Sequence, residues 1–312
     1  MSDAAIEVLH VGSASRDVTD DDPRGWRLGG GVTYAALTTA RLGLRTAAVV
    51  GADAQAASAR ELDRLRDAGA DLLIVPLPES PVFRNVETPA GRIQTCLAPG
   101  QRLPLVDLPA AWVAAAAWSL VPVAAEVGED WAPRVPGTAF VAAGWQGWLR
   151  KLAAGRIVER RSPAPSDVLR RADLVGVSHH DLAPATRAAD LRALLHPAAS
   201  LLLTDGEDGG ELMRNRDGLE EQWRYQAIPA DVELDPTGAG DTYLGALLAS
   251  FVRPSVLPAE APDLGLNLAF AAAAASLVIE GPGLSGVPDL AAVRARLRRG
   301  HRGRLEAPSA GP

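Results

Sequence analysis

Two residue types are almost missing from this chain. Its 312 residues include one cysteine, Cys96, and one lysine, Lys151. A lone cysteine allows no intrachain disulfide and no cysteine cluster for a metal, so Cys96 reads as a small apolar filler. A lone lysine that follows Arg150 excludes both the Gly-Lys-Ser/Thr phosphate loop and the strand lysine of protein kinases. If the chain handles a nucleotide, its phosphates must be met by arginines, backbone amides and a metal. Long apolar runs are also lacking. The longest, Leu268 to Ile279, is alanine-rich and too short to cross a bilayer, so it reads as a buried helix. Met1 to Ala5 has neither a basic region nor an apolar stretch of the secretory kind, which makes the cytoplasm the expected location. Basic residues do not predominate either: 31 Lys and Arg against 38 Asp and Glu give a net charge of −7. That balance gives no general electrostatic reason to bind nucleic acid and suits an enzyme with a small-molecule substrate.

With 47% hydrophobic and 22% charged residues, the chain can bury a sizeable core. We read residues 1–312 as one domain with a small appendage. Short apolar runs at Ile6 to Val11, Arg45 to Val50, Asp71 to Val75, Trp118 to Val121, Gly137 to Ala143, Asp173 to Val177 and Ser200 to Leu203 predict strands. Between them, helices are predicted over Leu28 to Gly43, Asp53 to Ala68 and Ala110 to Ala117, with Ser166 as a later N-cap. This alternation argues for an α/β protein with a parallel sheet and helices on both faces. Pro81 to Pro99 breaks the rhythm: two alternating runs flank Thr88-Pro89-Ala90-Gly91 and predict a β-hairpin. Two further strands are predicted near Glu211 to Arg214 and Gln222 to Gln226. Arg294 to Arg304 reads as a solvated helix end with a frayed tail.

The most informative stretch is Asp235 to Leu248, DPTGAGDTYLGALL. Gly238, Ala239 and Gly240 precede Asp241 and an apolar helical run, so a loop turns here into a helix N-terminus. Free amides and the positive end of the helix dipole make such a place an anion site, and glycines let a phosphate approach the backbone. A carboxylate in an anion site would compete with the phosphate unless it takes a proton from a hydroxyl that attacks it. The whole run resembles the C-terminal signature of the ribokinase-like (PfkB) family of sugar kinases. The stretch LGGGVTYAALTTARLG, Leu28 to Gly43, is similar to that family's N-terminal signature, with Tyr34 where the family usually has Asn.

The resemblance implies a three-layer α/β/α ribokinase-like fold, with a mostly parallel central sheet and a small β-hairpin lid formed by about 13–30 and 80–99. It implies ATP as donor, Mg²⁺ as cofactor, and a hydroxyl of a small sugar, polyol or nucleoside as acceptor. Asp241 matches the family's catalytic base, and the amides of Gly238, Ala239 and Gly240 its anion hole. The helix dipole is expected to lower the pKa of Asp241 and keep it ionised. Asp17, in the loop after the first strand, with Gly29, Gly30 and Tyr34, matches the substrate side. Gln146, in GWQGWLR, is a further substrate candidate. Its neighbours Trp145 and Trp148 either stack on a sugar face or are simply packed. Asp181 in SHHD stands where the family has a Glu that helps hold the magnesium hydration shell. His179 and His180 beside it read as surface residues. Thr204, Gly206 and Gly209 match the turn that borders the nucleotide phosphates, and Asn267 falls in the region bordering adenine. Tyr34 in the Asn position favours an acceptor other than free ribose, such as a cyclic polyol, a ketose or a nucleoside. A catalytically inactive regulator that binds a sugar or nucleotide is the second expectation. No membrane partner is expected, and exposed hairpin edges favour a homodimer through the lid.

Overall fold

The computed structural model describes residues 5–88, 91–216, 218–259 and 261–300. In chain order the strands are β1 (Val8–Ser13), β2 (Ser15–Val18), β3 (Trp26–Gly29), β4 (Thr46–Ala52), β5 (Asp71–Pro76), β6 (Val82–Thr88), β7 (Gly91–Ala98) and β8 (Ala117–Leu120). They continue as β9 (Phe140–Gly144), β10 (Arg150–Lys151), β11 (Arg156–Ile157), β12 (Glu159–Arg160), β13 (Leu174–Ser178), β14 (Ser200–Thr204), β15 (Gly210–Arg216) and β16 (Leu219–Tyr225). The helices are α1 (Gly31–Arg41), α2 (Ala54–Ala57), α3 (Glu61–Asp67), α4 (Ala110–Val113), α5 (Asp167–Arg171), α6 (Ala188–Arg192), α7 (Ala239–Val252), α8 (Leu264–Val278) and α9 (Leu290–Gly300).

A nine-stranded sheet in the order β16-β15-β14-β13-β9-β8-β1-β4-β5 forms the middle layer. The strands from β14 to β5 run parallel, while β15 and β16 are added antiparallel. Side chains alternate between the two faces, so β1 sends Val8 into one core and Leu9 and Val11 into the other. Likewise Ala48 and Val50 of β4 face one core, and Ala47 and Val49 the other. With both faces covered, a strand such as β4, TAAVVGA, has no polar side except Thr46 at its start. The first core lies under α1, α3, α7 and α8. Gly245 of α7 allows this packing, because a Cβ there would already be 3.3 Å from the backbone of Ala35 in α1. Leu247 and Phe270 at its centre are fully buried, and truncating either to alanine should cost about 2–5 kcal/mol.

A second sheet, ordered β11-β7-β6-β2-β3, projects from the first. It pairs β2 and β3 with the β6–β7 hairpin through the parallel pair β2–β6. Residues Pro89 and Ala90 of the expected turn lie outside the described residues. The sequence did not suggest the fifth strand, β11, which joins β7 at Cys96 and Thr95. Cys96 is buried against Phe83 and Val123, as a filler would be.

Several local expectations are corrected. Asp17 is in strand β2 rather than in a loop, because Arg16, Asp17 and Val18 pair with both β3 and β6. The helix expected over 53–68 is two: Asp53 caps α2 by accepting from the Ala56 amide, and α3 starts only at Glu61. The helix expected over 110–117 is the single turn α4, and Ala117 already belongs to β8. Arg296 is no solvated residue: it is 3% exposed and bonds Ser276 Oγ and the carboxylates of Asp231 and Glu280. The rest of the expected tail, 301–304, lies outside the described residues. Ser166 does cap α5, accepting from the Leu169 amide.

Candidate active site

The C-terminal ends of β1, β8, β9, β13 and β14 converge on the start of α7, the position where open parallel sheets bind ligands. Gly238 is the N-cap of α7 in the left-handed conformation, φ 82° and ψ 2°, and no side chain caps the helix. The Gly238 and Gly240 amides are therefore open to a ligand, the Ala239 amide makes only a long bond of 3.4 Å to the Pro236 carbonyl, and the helix dipole favours an anion there. Asp235 secures the loop from below. Its Oδ1 accepts from the Thr237 amide and its Oδ2 from the Gly283 amide, each at 3.0 Å, while Arg27 Nη1 lies 3.6 Å from Oδ2.

Asp241 belongs to the first turn of α7 and reaches back to the first residue of α1. A Cβ at Gly31 would stand 2.8 Å from Asp241 Oδ1. Two helix N-termini thus face one carboxylate. The expectation of a lowered pKa is nevertheless reversed: burial pushes Asp241 up to about 6, aided by the charges of Asp181 and Asp17 and opposed by Arg150. Two helix dipoles do not outweigh the desolvation of a carboxylate enclosed at the joint of two helices and two sheets.

Asp17 faces the same cleft from β2. Its Oδ2 occupies the space beside Gly29, where a Cβ would be 2.2 Å away, and its Oδ1 accepts from Ser15 Oγ at 3.2 Å. Gly30, at φ 102°, turns the chain from β3 into α1 against the Ser13 carbonyl. Gly29 and Gly30 therefore give Asp17 its room. Burial raises Asp17 to about 6 as well, against the Ser15 hydrogen bond and the charge of Arg150. Tyr34, on the first turns of α1, is 2% exposed and lies directly under the Gly238 loop.

Gln146 follows β9 and donates Nε2 to Asp181 Oδ1 and Oδ2 at 3.2 and 3.3 Å. These two candidates are brought together, and Gln146 orients a carboxylate that burial shifts upward. Trp145 is buried and Trp148 donates its ring N–H to the Val127 carbonyl, so the packing alternative holds for both. His179 and His180 are exposed, and Ser178 caps their turn. Thr204 ends β14, and Gly206 and Gly209 turn with positive φ of 54° and 88°. Gly206 passes close to the His180 ring, which sets the turns after β13 and β14 side by side. Asn267 does not join this group. It is 7% exposed and donates its amide to Ser250 Oγ at 2.8 Å within the α7–α8 packing.

Sequence reasoning missed Arg150 and Glu126. Glu126 is buried and accepts from the amides of Ser13, Val123 and Ala124, which fixes the loop after β8 against the end of β1. Arg150 lies 5.4 Å over the Phe83 ring, and the charges of Asp181, Asp241, Asp17 and Glu126 all act on it. Arg150 owes its place to segments far apart in sequence, and Glu126 joins the nearby Val123 and Ala124 amides to the distant Ser13 amide.

The family model described as pfkB family carbohydrate kinase matches residues 151–290. Solved structures extend the likeness to nearly the whole chain. A pyrophosphate-dependent kinase in the ribokinase family, complexed with a pyrophosphate analog and myo-inositol, superposes with a TM-score of 0.69 and 20% identity, covering 94% of this chain and 99% of that one. The fold is ribokinase-like. The resemblance of Asp235 to Leu248 to that family is thereby borne out. Arabidopsis thaliana ribokinase, complexed with ribose and ATP, gives a TM-score of 0.66 at 19% identity, with coverage of 95% and 99%. The nucleoside kinase of Methanocaldococcus jannaschii, an archaeal member of the ribokinase family, gives 0.67 at 17%, also with 95% and 99%. No curated protein matches the chain in sequence. At these identities the ribokinase-like likeness is one of fold. Among the described residues no helix is long and apolar enough to cross a membrane.

Proposed function

We propose that this ribokinase-like protein is a kinase that transfers the γ-phosphate of ATP to a hydroxyl of a small sugar, polyol or nucleoside. The observation that carries the proposal is the pairing of an uncapped helix start at Gly238 with the Asp241 carboxylate one turn inside it, wedged against Gly31. An anion site and a proton acceptor then stand on the same helical turn. The amides of Gly238, Ala239 and Gly240 would hold the transferred phosphoryl oxygens. Asp241 would orient the acceptor hydroxyl and take its proton. The phosphoryl transition state is loose, so positioning and charge stabilisation carry most of the catalysis and a strong base is not needed. Asp17, with room made by Gly29 and Gly30, would accept hydrogen bonds from other hydroxyls of the acceptor, and the five-stranded sheet would act as the lid over it. Tyr34 would shape the floor of that pocket. Thr204, Gly206 and Gly209 would border the donor's phosphates.

No group of three or more His, Cys, Asp or Glu side chains suited to a metal occurs among the described residues. A Mg²⁺ ion would arrive on the donor's phosphates, as such ions do, with Asp181 acting from a distance and steadied by Gln146. Bound there, the ion would neutralise charge on the transferring group. A pyrophosphate donor is the second reading. Asn267, expected near adenine, is turned into the helix packing, and a structural neighbour is described as pyrophosphate-dependent.

The test is product release from purified protein given either Mg-ATP or Mg-pyrophosphate, with a panel of inositols, sugars and nucleosides, and with Asp241→Asn as control. Turnover that the substitution lowers by roughly 10²–10⁴-fold would support the proposal. Undiminished turnover in Asp241→Asn would sink it, and ligand binding without any turnover would favour the inactive regulator.

A further inference from the structure

Among the described residues, Arg150 is a cation beside the cleft that has no ion pair. Arg150 begins β10, directly after the short turn that carries Gln146. Its guanidinium covers the ring of Phe83, a buried residue of β6, and Nη1 donates to the Val123 carbonyl at 2.9 Å. Arg150 thus clasps the projecting sheet to the loop after β8. A guanidinium has five N–H donors. Among the described residues no carboxylate lies within ion-pair distance of Arg150, and none of its nitrogens is both buried and without a hydrogen-bond partner.

The surrounding carboxylates have other partners. Glu126 is taken up by three backbone amides, Asp181 by Gln146, and Asp17 accepts from Ser15. Their charges still act on Arg150, together with that of Asp241. A half-buried arginine that keeps most of its donors unpaired, among acids that hold back from it, is built to meet something else. Dry, it would leave unpaired N–H groups, which is costly.

We propose that Arg150 is an acceptor-binding residue, and that it selects an uncharged polyol with vicinal hydroxyls. The inference rests on the kinase reading for the identity of the acceptor. Arg150 would donate to two adjacent hydroxyl oxygens, while Asp17 and Asp241 across the cleft would accept the hydroxyl protons. A guanidinium fork facing carboxylates matches the alternating acceptors and donors of a diol. The charges beside Asp241 disfavour an anionic acceptor. Asp181 and Asp17 both raise Asp241 against Arg150, while Arg92 acts on Asp17, and Arg160 and His180 act on Asp181. A carboxylate or phosphate on the acceptor would add a charge of the same sign beside Asp241.

The experiment compares wild type with Arg150→Met and Arg150→Lys. Binding of myo-inositol, D-ribose, adenosine and D-gluconate is followed by calorimetry, and turnover by product release. Arg150→Met keeps the packing on Phe83, and thermal melting of each variant without ligand checks folding. The expected result is that wild type binds at least one neutral probe and not gluconate. Arg150→Met should weaken that probe about 10–100-fold. KM should rise by more than kcat falls, and Arg150→Lys should restore part of the loss. Equal affinity in wild type and Arg150→Met would overturn the inference, as would a preference of wild type for gluconate, or no binding of any neutral probe. The two readings separate cleanly. Binding that Arg150→Met abolishes, without turnover in wild type, removes the kinase reading and leaves this one. Turnover with an unchanged KM in Arg150→Met does the reverse.

Discussion

The ring of Tyr34 fills the space into which a side chain at position 238 would point: a Cβ there would lie 2.3 Å from Cδ1 and Cε1 of the tyrosine. Gly238 is also in the left-handed region, at φ 82°. Two independent constraints, one steric and one conformational, therefore hold one glycine at the head of the proposed anion site. Gly238→Ala should lower turnover by at least about 100-fold through displacement of the first-turn amides. Pairing it with Tyr34→Ala removes the clash but leaves the conformational cost, so the double variant should recover only part of the loss. Full recovery would show that the left-handed turn does not matter.

A similar argument applies to Gly31, where a Cβ would meet Asp241 Oδ1 at 2.8 Å and the Val121 carbonyl at 3.0 Å. Gly31→Ala should push the carboxylate out of line and cost about 100-fold in kcat. Its effect on the thermal midpoint should be small, within about 4 °C. A variant that melts like wild type and turns over at the wild-type rate would mean that the exact placement of Asp241 is unimportant.

Burial raises both Asp241 and Asp17 to about 6, and the charge of Asp17 raises Asp241 further. Because the two interact, they titrate as a set. The acid limb of kcat/KM should therefore fall near pH 6, well above the ordinary carboxylate range, and activity should be lost as the pH drops through it. The same shift predicts a stability effect of opposite sense. A carboxyl whose pKa is raised on folding binds protons more readily in the folded state, so its contribution improves as pH falls from about 6 toward 4. At pH 8 the charge is a burden, and Asp241→Asn should melt about 2–4 °C above wild type while nearly inactive. A limb near pH 4, or a lower melting point for Asp241→Asn, would refute this account.

Local chemistry made the helix start at Gly238, the carboxylate at Asp241, the alternation of strands and helices, and the hairpin after Pro81 readable in the sequence. Each is a pattern within about 20 residues. What escaped is what contact across the chain decides. Arg150 reads as an ordinary basic residue until the ring of Phe83 and the Val123 carbonyl are brought to it. Glu126 binds the nearby Val123 and Ala124 amides, but the contact that gives it its role, the Ser13 amide, comes from 113 residues away. Asn267 was placed by its position along the chain, and a hydroxyl on the neighbouring helix, Ser250, takes its amide instead. The pKa of Asp241 was misjudged for the same reason: a helix start is visible in sequence, whereas enclosure is not.

His10 offers a test of the core that does not depend on function. It is fully buried on β1, where Nε2 bonds Thr39 Oγ1 at 2.9 Å, and Thr39 in turn bonds Thr46. Nδ1 has no partner, nor has the hydroxyl of Ser119, its neighbour in register on β8. With nothing to stabilise a second proton, burial lowers His10 to about 3. The unfolded chain takes up that proton near pH 6.5 and the folded chain does not, so the contribution of His10 is complete above pH 6.5 and is lost progressively as pH falls toward 3. The slope is roughly 1.4 kcal/mol per pH unit, or about 2 kcal/mol between pH 7 and pH 5. The raised carboxylates of the cleft pull the other way below pH 6, which makes the difference between wild type and a His10 variant the quantity to measure. His10→Gln can keep a hydrogen bond to Thr39 and cannot titrate. In urea unfolding, its stability relative to wild type should therefore improve by about 2 kcal/mol on going from pH 7 to pH 5. If the two proteins kept a constant difference, His10 would have to be protonated in the folded core, with Ser119 Oγ accepting from Nδ1.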